Sequence, residues 1–211
     1  MSSGVDGPAV FINCPFDGQY TSFLDAMVFT VLRCGFVPRC ALEIDDGAGT
    51  RIGKILRIIS ECPLGIHDIS RTELDPDYGL PRFNMPFELG LFLGARRFGS
   101  GQEDKRCLVL DRERYRYQKF LSDIAGQDIR SHDEKPDVLI RTIRNFLQSH
   151  ERSFQLWGGA AIKRQYDDFV SAKPAICDDL ELDPAELTYL DQINIVAYYL
   201  QERVRRESAG T

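Results

Sequence analysis

The sequence predicts an α/β domain of three layers, a parallel sheet between two layers of helices, followed by a C-terminal helical appendage. Short apolar runs, typical of buried strands, alternate with longer segments whose apolar residues recur at helical spacing. Strands and helices that alternate in this way form parallel sheets covered on both faces. From about Phe154 only helical patterns follow. We therefore place the α/β domain at residues 1–150 and the helical extension at residues 151–211.

Four strands are predicted from the apolar runs at residues 9–13, 36–42, 64–69 and 106–111. Pro38 counts against the second strand, because proline cannot donate to a strand ladder. In a parallel sheet the carboxyl ends of the strands share one edge, and ligands bind just beyond that edge. The loops after the first three strands should therefore meet there.

Helical spacing predicts one helix from about residue 20 to 34, where Gly35 ends it, and another from Arg51 to about residue 60. A third begins at Asn84, and helical stretches follow near residues 117–124 and 137–148. The extension should contain two more helices, at about residues 162–170 and 184–206.

The composition argues against several classes of function. A net charge of -6 and a pI near 5.2 do not favour binding of nucleic acid by bulk charge. No apolar stretch is long enough to cross a membrane, and the polar start lacks the pattern of a secretory signal. None of the six cysteines forms a Cys-x-x-Cys pair, so we expect no metal site and a reducing, cytoplasmic location.

Glu88 is the most informative residue, because it is the one carboxylate in the otherwise apolar or small run MPFELGLFLG. Asn84 can cap a helix and Pro86 suits its first turn, which places Glu88 near the positive end of the helix dipole. A desolvated carboxylate there suits a nucleophile or an electrostatic stabiliser. The alternative is that Glu88 simply decorates a helix N-terminus, where acidic residues are common.

Other polar residues follow the predicted strands. Asp68 ends the third strand, where it could contact a ligand ribose or cap a loop, whereas His67 should face the opposite side of the sheet and be structural. Arg51, Arg71 and Arg82 lie at the same edge. They would suit a phosphorylated ligand, or would pair with nearby acids. Neither a GxGxxG fingerprint nor a P-loop is present.

The MPFELGLFLG run, followed by KRCLVLD at residues 105–111, resembles the Glu-Leu-Gly stretch of nucleoside 2-deoxyribosyltransferases. Residues 11–16 resemble their first strand and its Pro-Phe turn, and residues 64–70 resemble their central strand. The layout is also similar to Toll/interleukin-1 receptor (TIR)-like domains, including bacterial ones that bind nucleotides or cleave NAD. The resemblance covers about residues 9–150 and implies a flavodoxin/TIR-like sheet.

The resemblance implies that Glu88 attacks or stabilises the ribose C1′ as an N-glycosidic bond breaks, as in sugar hydrolysis. It implies that Asp68 holds a ribose hydroxyl or assists departure of the base. The transferases carry an aspartate where this chain has Arg82, and their other aspartate has no match near Arg51. Two arginines favour a phosphate-bearing ligand. The residues expected to bind that ligand are Phe11, Cys14, Pro15, Phe16, Asp17, Arg51, Arg82 and Asn84.

The first hypothesis is therefore an N-glycosidase that acts on NAD or a nucleotide as substrate, without a further cofactor, and by analogy in bacterial antiphage defence. The alternatives are a TIR-like module that senses a nucleotide or docks a protein, and a deoxyribosyltransferase with an altered pocket. We also expect a homo-oligomer, assembled through a sheet edge or the C-terminal helices.

Overall fold

A parallel sheet of five strands organises the molecule. The computed structural model describes residues 7–74, 79–151 and 153–209. The strands are β1 (Ala9–Asn13), β2 (Val37–Arg39), β3 (Leu64–Asp68), β4 (Arg106–Asp111) and β5 (Arg130–Ser131). Their order is β2-β1-β3-β4-β5, and every neighbouring pair is parallel. This confirms the predicted class, and the winding reverses direction between β1 and β3.

Helices cover both faces of the sheet. The α-helices in the described residues are α1 (Thr21–Arg33), α2 (Arg51–Glu61), α3 (Asn84–Phe98), α4 (Pro136–His150), α5 (Gly159–Asp179) and α6 (Tyr189–Ala209). Val10 and Ile12 of β1 pack into the hydrophobic cluster that also holds α1 and α4, whereas Phe11 packs with α2 on the other face. This alternation is the period-2 pattern of a strand buried on both sides.

The predicted helical appendage is confirmed as α5 and α6. Ile162, Phe169 and Val196 from these helices belong to the same buried cluster as α1 and the sheet. The appendage therefore completes one layer of the fold by burying apolar surface. The division at residue 150 stays a prediction. None of the described helices has the length and apolar character needed to cross a membrane.

Four elements differ from the sequence predictions, and one of them is the helix expected at residues 162–170, which extends over Gly159–Asp179. The second strand keeps only Val37–Arg39, and β5 was not predicted, because two residues are too few to show an apolar pattern. The helix expected at residues 117–124 is instead two short 3₁₀ turns, Arg116–Lys119 and Ser122–Ile124. The chain enters the first turn through Tyr115 at a φ of 63°, which interrupts any continuous helix.

Candidate active site

The start of α3 lies at the carboxyl edge of the sheet, beside the point where the winding reverses. Asn13, the last residue of β1, donates from Nδ2 to the Met85 carbonyl at 2.8 Å. The same nitrogen lies 3.1 Å from His67 Nδ1 on β3. Asn13 therefore ties the first turn of α3 to both central strands. Parallel α/β sheets bind their ligands at this crevice.

Glu88 is buried at this position, with only 5% of its surface exposed. It precedes Phe92 by one turn, and the Phe92 ring packs edge-on against His67 at 4.9 Å. Among the described residues, no hydrogen-bond donor or cation contacts its carboxylate. Burial raises the pKa of Glu88 to about 7, and the positive charge of Arg51 offsets part of that rise. Glu88 can therefore exchange a proton near neutral pH.

Helix α3 begins differently from the sequence prediction. Phe83 occupies the N-cap position without a side-chain cap, and Asn84 is the first helical residue, so Asn84 does not cap this helix. Pro86 does lie in the first turn, as predicted. Asn84 is exposed beside the site, and Phe87 is 56% exposed one residue before Glu88. An amide and an aromatic ring are therefore accessible on the turn of α3 that leads to Glu88.

Asp68 has a different environment at the end of β3. It is fully buried, and its carboxylate accepts hydrogen bonds from the Tyr20 hydroxyl and the Ser70 N–H. His132 Nδ1 accepts the Glu134 N–H, so the ring proton lies on Nε2, which is 3.1 Å from Asp68 Oδ2. Burial alone would raise the pKa of Asp68, but these donors lower it. Asp68 faces protein on every side, and its expected catalytic role, like that of Glu88, stays a prediction.

His67 behaves as predicted. It points to the face opposite Asp68, between the rings of Phe11 and Phe92. Burial lowers the pKa of His67 to about 3, so the ring is neutral. His67 has a structural role, because it accepts a hydrogen bond from Asn13 and packs under α3.

The predicted ligand-binding residues of β1 and its loop lie at different depths. Phe11, Cys14 and Pro15 are buried, and burial raises the pKa of the Cys14 thiol well above its usual range. Phe16 and Asp17 are partly exposed. Only the last two can therefore touch a ligand without rearrangement of the core.

Two of the predicted arginines lie beside a cavity of about 490 Å³ at this edge. Its lining includes Asp17, Gln19, Arg71 and Arg82. Arg71, in the loop after β3, donates to Asp17 at 2.8 Å and to Gln19 at 2.9 Å, so a carboxylate in the loop after β1 balances its charge. Arg51 is exposed at the first turn of α2 and lies on the Glu88 side. Asp75 and Asp77, two of the acids that lie near these arginines in the sequence, are outside the described residues.

A buried arginine that the sequence did not predict, Arg116, holds the loop after β3 in place. Arg116 is buried and donates to Asp111 at 2.6 Å, to the Ser70 carbonyl and to Thr72 at 2.7 Å. This guanidinium therefore fixes the loop against the end of β4. The helix predicted at residues 117–124 did not include Arg116, and no local pattern in the sequence marked this arginine as buried.

The described residues contain no cluster of three or more His, Cys, Asp or Glu side chains that could hold a metal ion. No protein-family model matches the chain, and no significant match was found among curated proteins or solved structures. The case for a function therefore depends on the geometry around Glu88.

Proposed function

We propose that this protein hydrolyses the N-glycosidic bond of NAD or a related nucleotide, with Glu88 as the catalytic carboxylate. The observation that carries the proposal is a buried carboxylate without a partner among the described residues, at the ligand-binding edge of the sheet. A protein gains no stability from such a group, since burial without partners is costly. Groups of this kind are typical of sites that act on a ligand.

The reaction needs one carboxylate when the leaving base is cationic. The bond from C1′ to the nicotinamide nitrogen breaks, and its electron pair stays on the ring, which leaves as a neutral molecule. Ionised Glu88 stabilises the positive charge that develops at C1′. Water then adds to C1′ and gives its proton to Glu88, whose pKa near 7 allows it to return that proton to solvent.

Binding of the rest of the substrate is assigned to the predicted ligand-binding residues that are at least partly exposed. Arg51 and Arg82 would contact phosphate, Asn84 a ribose hydroxyl, and Phe16 the base. The exposed ring of Phe87 offers a further stacking surface. Asp68 would act indirectly, by holding the loop after β3 in place.

The test is release of nicotinamide from NAD by purified protein, at low and high protein concentration. Glu88→Gln keeps the shape of the side chain and should abolish release. Glu186→Gln, an exposed glutamate on another part of the chain, is the matched control and should behave as wild type. Equal release by wild type and Glu88→Gln would refute the assignment of Glu88.

A nucleotide-sensing or protein-docking module is the second candidate, favoured by the low exposure of Glu88. It predicts no release of base at any concentration, together with a rise in Tm when NAD or AMP is added. A deoxyribosyltransferase would instead exchange the base of a deoxynucleoside when a second free base is supplied. The three outcomes are separable by chromatography of the products.

The cellular location, the biological role and the self-association of the protein are also proposals. All six cysteines are unpaired, which suits the reducing cytoplasm. A role in antiphage defence predicts that wild type, but not Glu88→Gln, lowers phage plating and cellular NAD. Self-association is assigned to the helical surfaces, because the outer strands are short and β2 contains Pro38.

A further inference from the structure

A second group of charged and aromatic side chains lies at the amino edge of the sheet, away from Glu88. Two adjoining cavities of about 350 and 340 Å³ share Trp157 and Arg203 in their linings. Arg164 lines the first cavity and Arg33 the second. We call these four residues the tryptophan groove. Each cavity is within the size range of small-molecule sites.

Trp157 is exposed but held in place. Its side chain is 52% exposed, although large aromatic side chains usually bury most of their surface. Arg144 donates to the carbonyls of Trp157 and Leu156, both at 2.8 Å, and Gln148 accepts the Leu156 N–H at 2.8 Å. The indole is therefore presented on a fixed loop, which lowers the entropic cost of binding a ligand.

The carboxylates beside the tryptophan groove pair with cations other than Arg33 and Arg164. Its acidic neighbours are matched, because Asp167 pairs with Lys163 at 2.6 Å, and Asp168 and Glu207 lie 3.5 and 3.0 Å from Arg203. In the described part of the chain, neither Arg33 nor Arg164 has a carboxylate within ion-pair distance. Two guanidinium groups are thus left to receive an anion.

Of the two arginines, Arg33 is better placed than Arg164 to bind an anion. Its guanidinium stacks on the Trp157 ring, 4.9 Å from the centroid, and its Nε donates to Gln165 Oε1. Burial is the main cause that lowers the pKa of Arg33; the like charge of Arg203 lowers it further, and the negative charge of Glu207 offsets part of that fall. An anion bound here would gain a charge-assisted hydrogen bond from a guanidinium that is already oriented.

We propose that the tryptophan groove is a binding site for a small aromatic phosphate, such as a nucleoside monophosphate. The phosphate would bind Arg33 and Arg164, and the planar base would stack against the indole. The proposal is independent of hydrolysis at Glu88, because the two sites lie at opposite ends of the strands. A ligand here would contact the last residue of α1, whose other end leads to Tyr20 and Asp68.

Trp157 is the only tryptophan of the chain, so its fluorescence reports directly on this site. The probes are AMP, adenosine and inorganic phosphate, titrated against the full-length protein. We expect a saturable change with AMP that adenosine and phosphate do not reproduce at the same concentrations. A response to adenosine equal to that of AMP, to phosphate alone, or to none of the three would overturn the proposal.

Variants test whether the fluorescence change arises from AMP bound in the tryptophan groove. Arg33→Met should weaken AMP binding by about tenfold or more, since it removes a charged hydrogen bond. Arg164→Met should also weaken binding, and it would break no hydrogen bond or ion pair of Arg164 with the described residues, which guards against a folding defect. Arg97→Met, an exposed arginine on α3, is the charge-matched control, and Glu88→Gln tests the other site. Both should bind AMP as wild type does; weaker binding by either would place the signal elsewhere.

Discussion

The end of β3 and the start of α3 each hold a buried carboxylate at the same edge of the sheet, but their surroundings are opposite. Asp68 accepts from Tyr20 and Ser70 and lies 3.1 Å from His132 Nε2. Glu88 has no donor among the described residues. The pKa of Asp68 is accordingly lowered by its donors, whereas burial raises the pKa of Glu88 to about 7. Burial alone therefore does not identify a reactive carboxylate. The absence of hydrogen-bond donors around it is the more informative feature.

This contrast implies different roles for Asp68 and Glu88, one in stability and the other in ligand binding. A carboxylate surrounded by donors stabilises the fold and has little capacity left for a ligand. A buried carboxylate without donors destabilises the fold and keeps its capacity for a substrate, as expected for functional sites that trade stability for activity. Mutation of the two residues should therefore separate stability from activity.

The largest effect is expected from Asp68→Asn. The amide places N–H groups against donors that need an acceptor, so the free energy of unfolding should fall by about 3 kcal/mol. Urea denaturation at neutral pH measures this loss, and Asp123→Asn, an exposed aspartate, is the control. A loss below about 0.5 kcal/mol would remove the contrast between the two carboxylates, because surface substitutions reach that size.

Glu88→Gln should change stability in the opposite direction and only above mildly acidic pH. The folded pKa of about 7 exceeds the unfolded value of 4.5, so the folded state binds more protons and wild-type stability falls as pH rises between these values. At pH 8 the variant should therefore be more stable than wild type, by about 2 kcal/mol, with no such gain at pH 4.5.

Asp68 and Glu88 also predict opposite slopes of stability against pH. Since the folded pKa of Asp68 is lowered, its contribution is present above its unfolded value of 3.8 and is lost as pH falls through the folded pKa. Paired denaturation curves from acidic to alkaline pH separate the two effects. A Glu88→Gln variant that is less stable than wild type at pH 8 would show that Glu88 has a partner after all.

Asn13→Ala should have an intermediate effect, on both stability and activity. It removes the donor to the Met85 carbonyl and to His67, at a cost of about 1–2 kcal/mol, and it loosens the start of α3 that carries Glu88. We expect kcat for nicotinamide release to fall while the midpoint of the pH profile stays in place. Asn145→Ala on the exposed side of α4 is the control. A shifted midpoint would mean that Asn13 acts on Glu88 directly.

The sequence predicted the fold and Glu88 for the same reason, because both are local patterns. Apolar runs at two periodicities predicted the layers, and the apolar residues around Glu88 predicted that its carboxylate is buried. The short strand β5 and the 3₁₀ turns before it have no such pattern. They are set by tertiary contacts of Arg116 with Asp111 and the loop after β3.

The environment of Asp68 could not be predicted for a related reason. Its partners Tyr20 and His132 lie far away along the chain, and His132 follows the unpredicted strand β5. The sequence placed Asp68 at the correct edge but did not show whether donors would surround it. Donor geometry depends on strand order and register, which periodicity does not encode.

The smallest expected effect, and the most specific to Glu88, comes from Arg51→Met. The positive charge of Arg51 lowers the pKa of Glu88 against the effect of burial, so its removal should raise that pKa. Because Arg51 is exposed and screened, the midpoint of the pH profile should move upward by only a few tenths of a pH unit. High salt should shift the midpoint of the wild type in the same direction and that of the variant hardly at all.

Arg57→Met, also exposed on α2, is the control. The same midpoint can be read from the pH dependence of stability, so the test does not require turnover, and an unchanged or lower midpoint would separate Arg51 from the site.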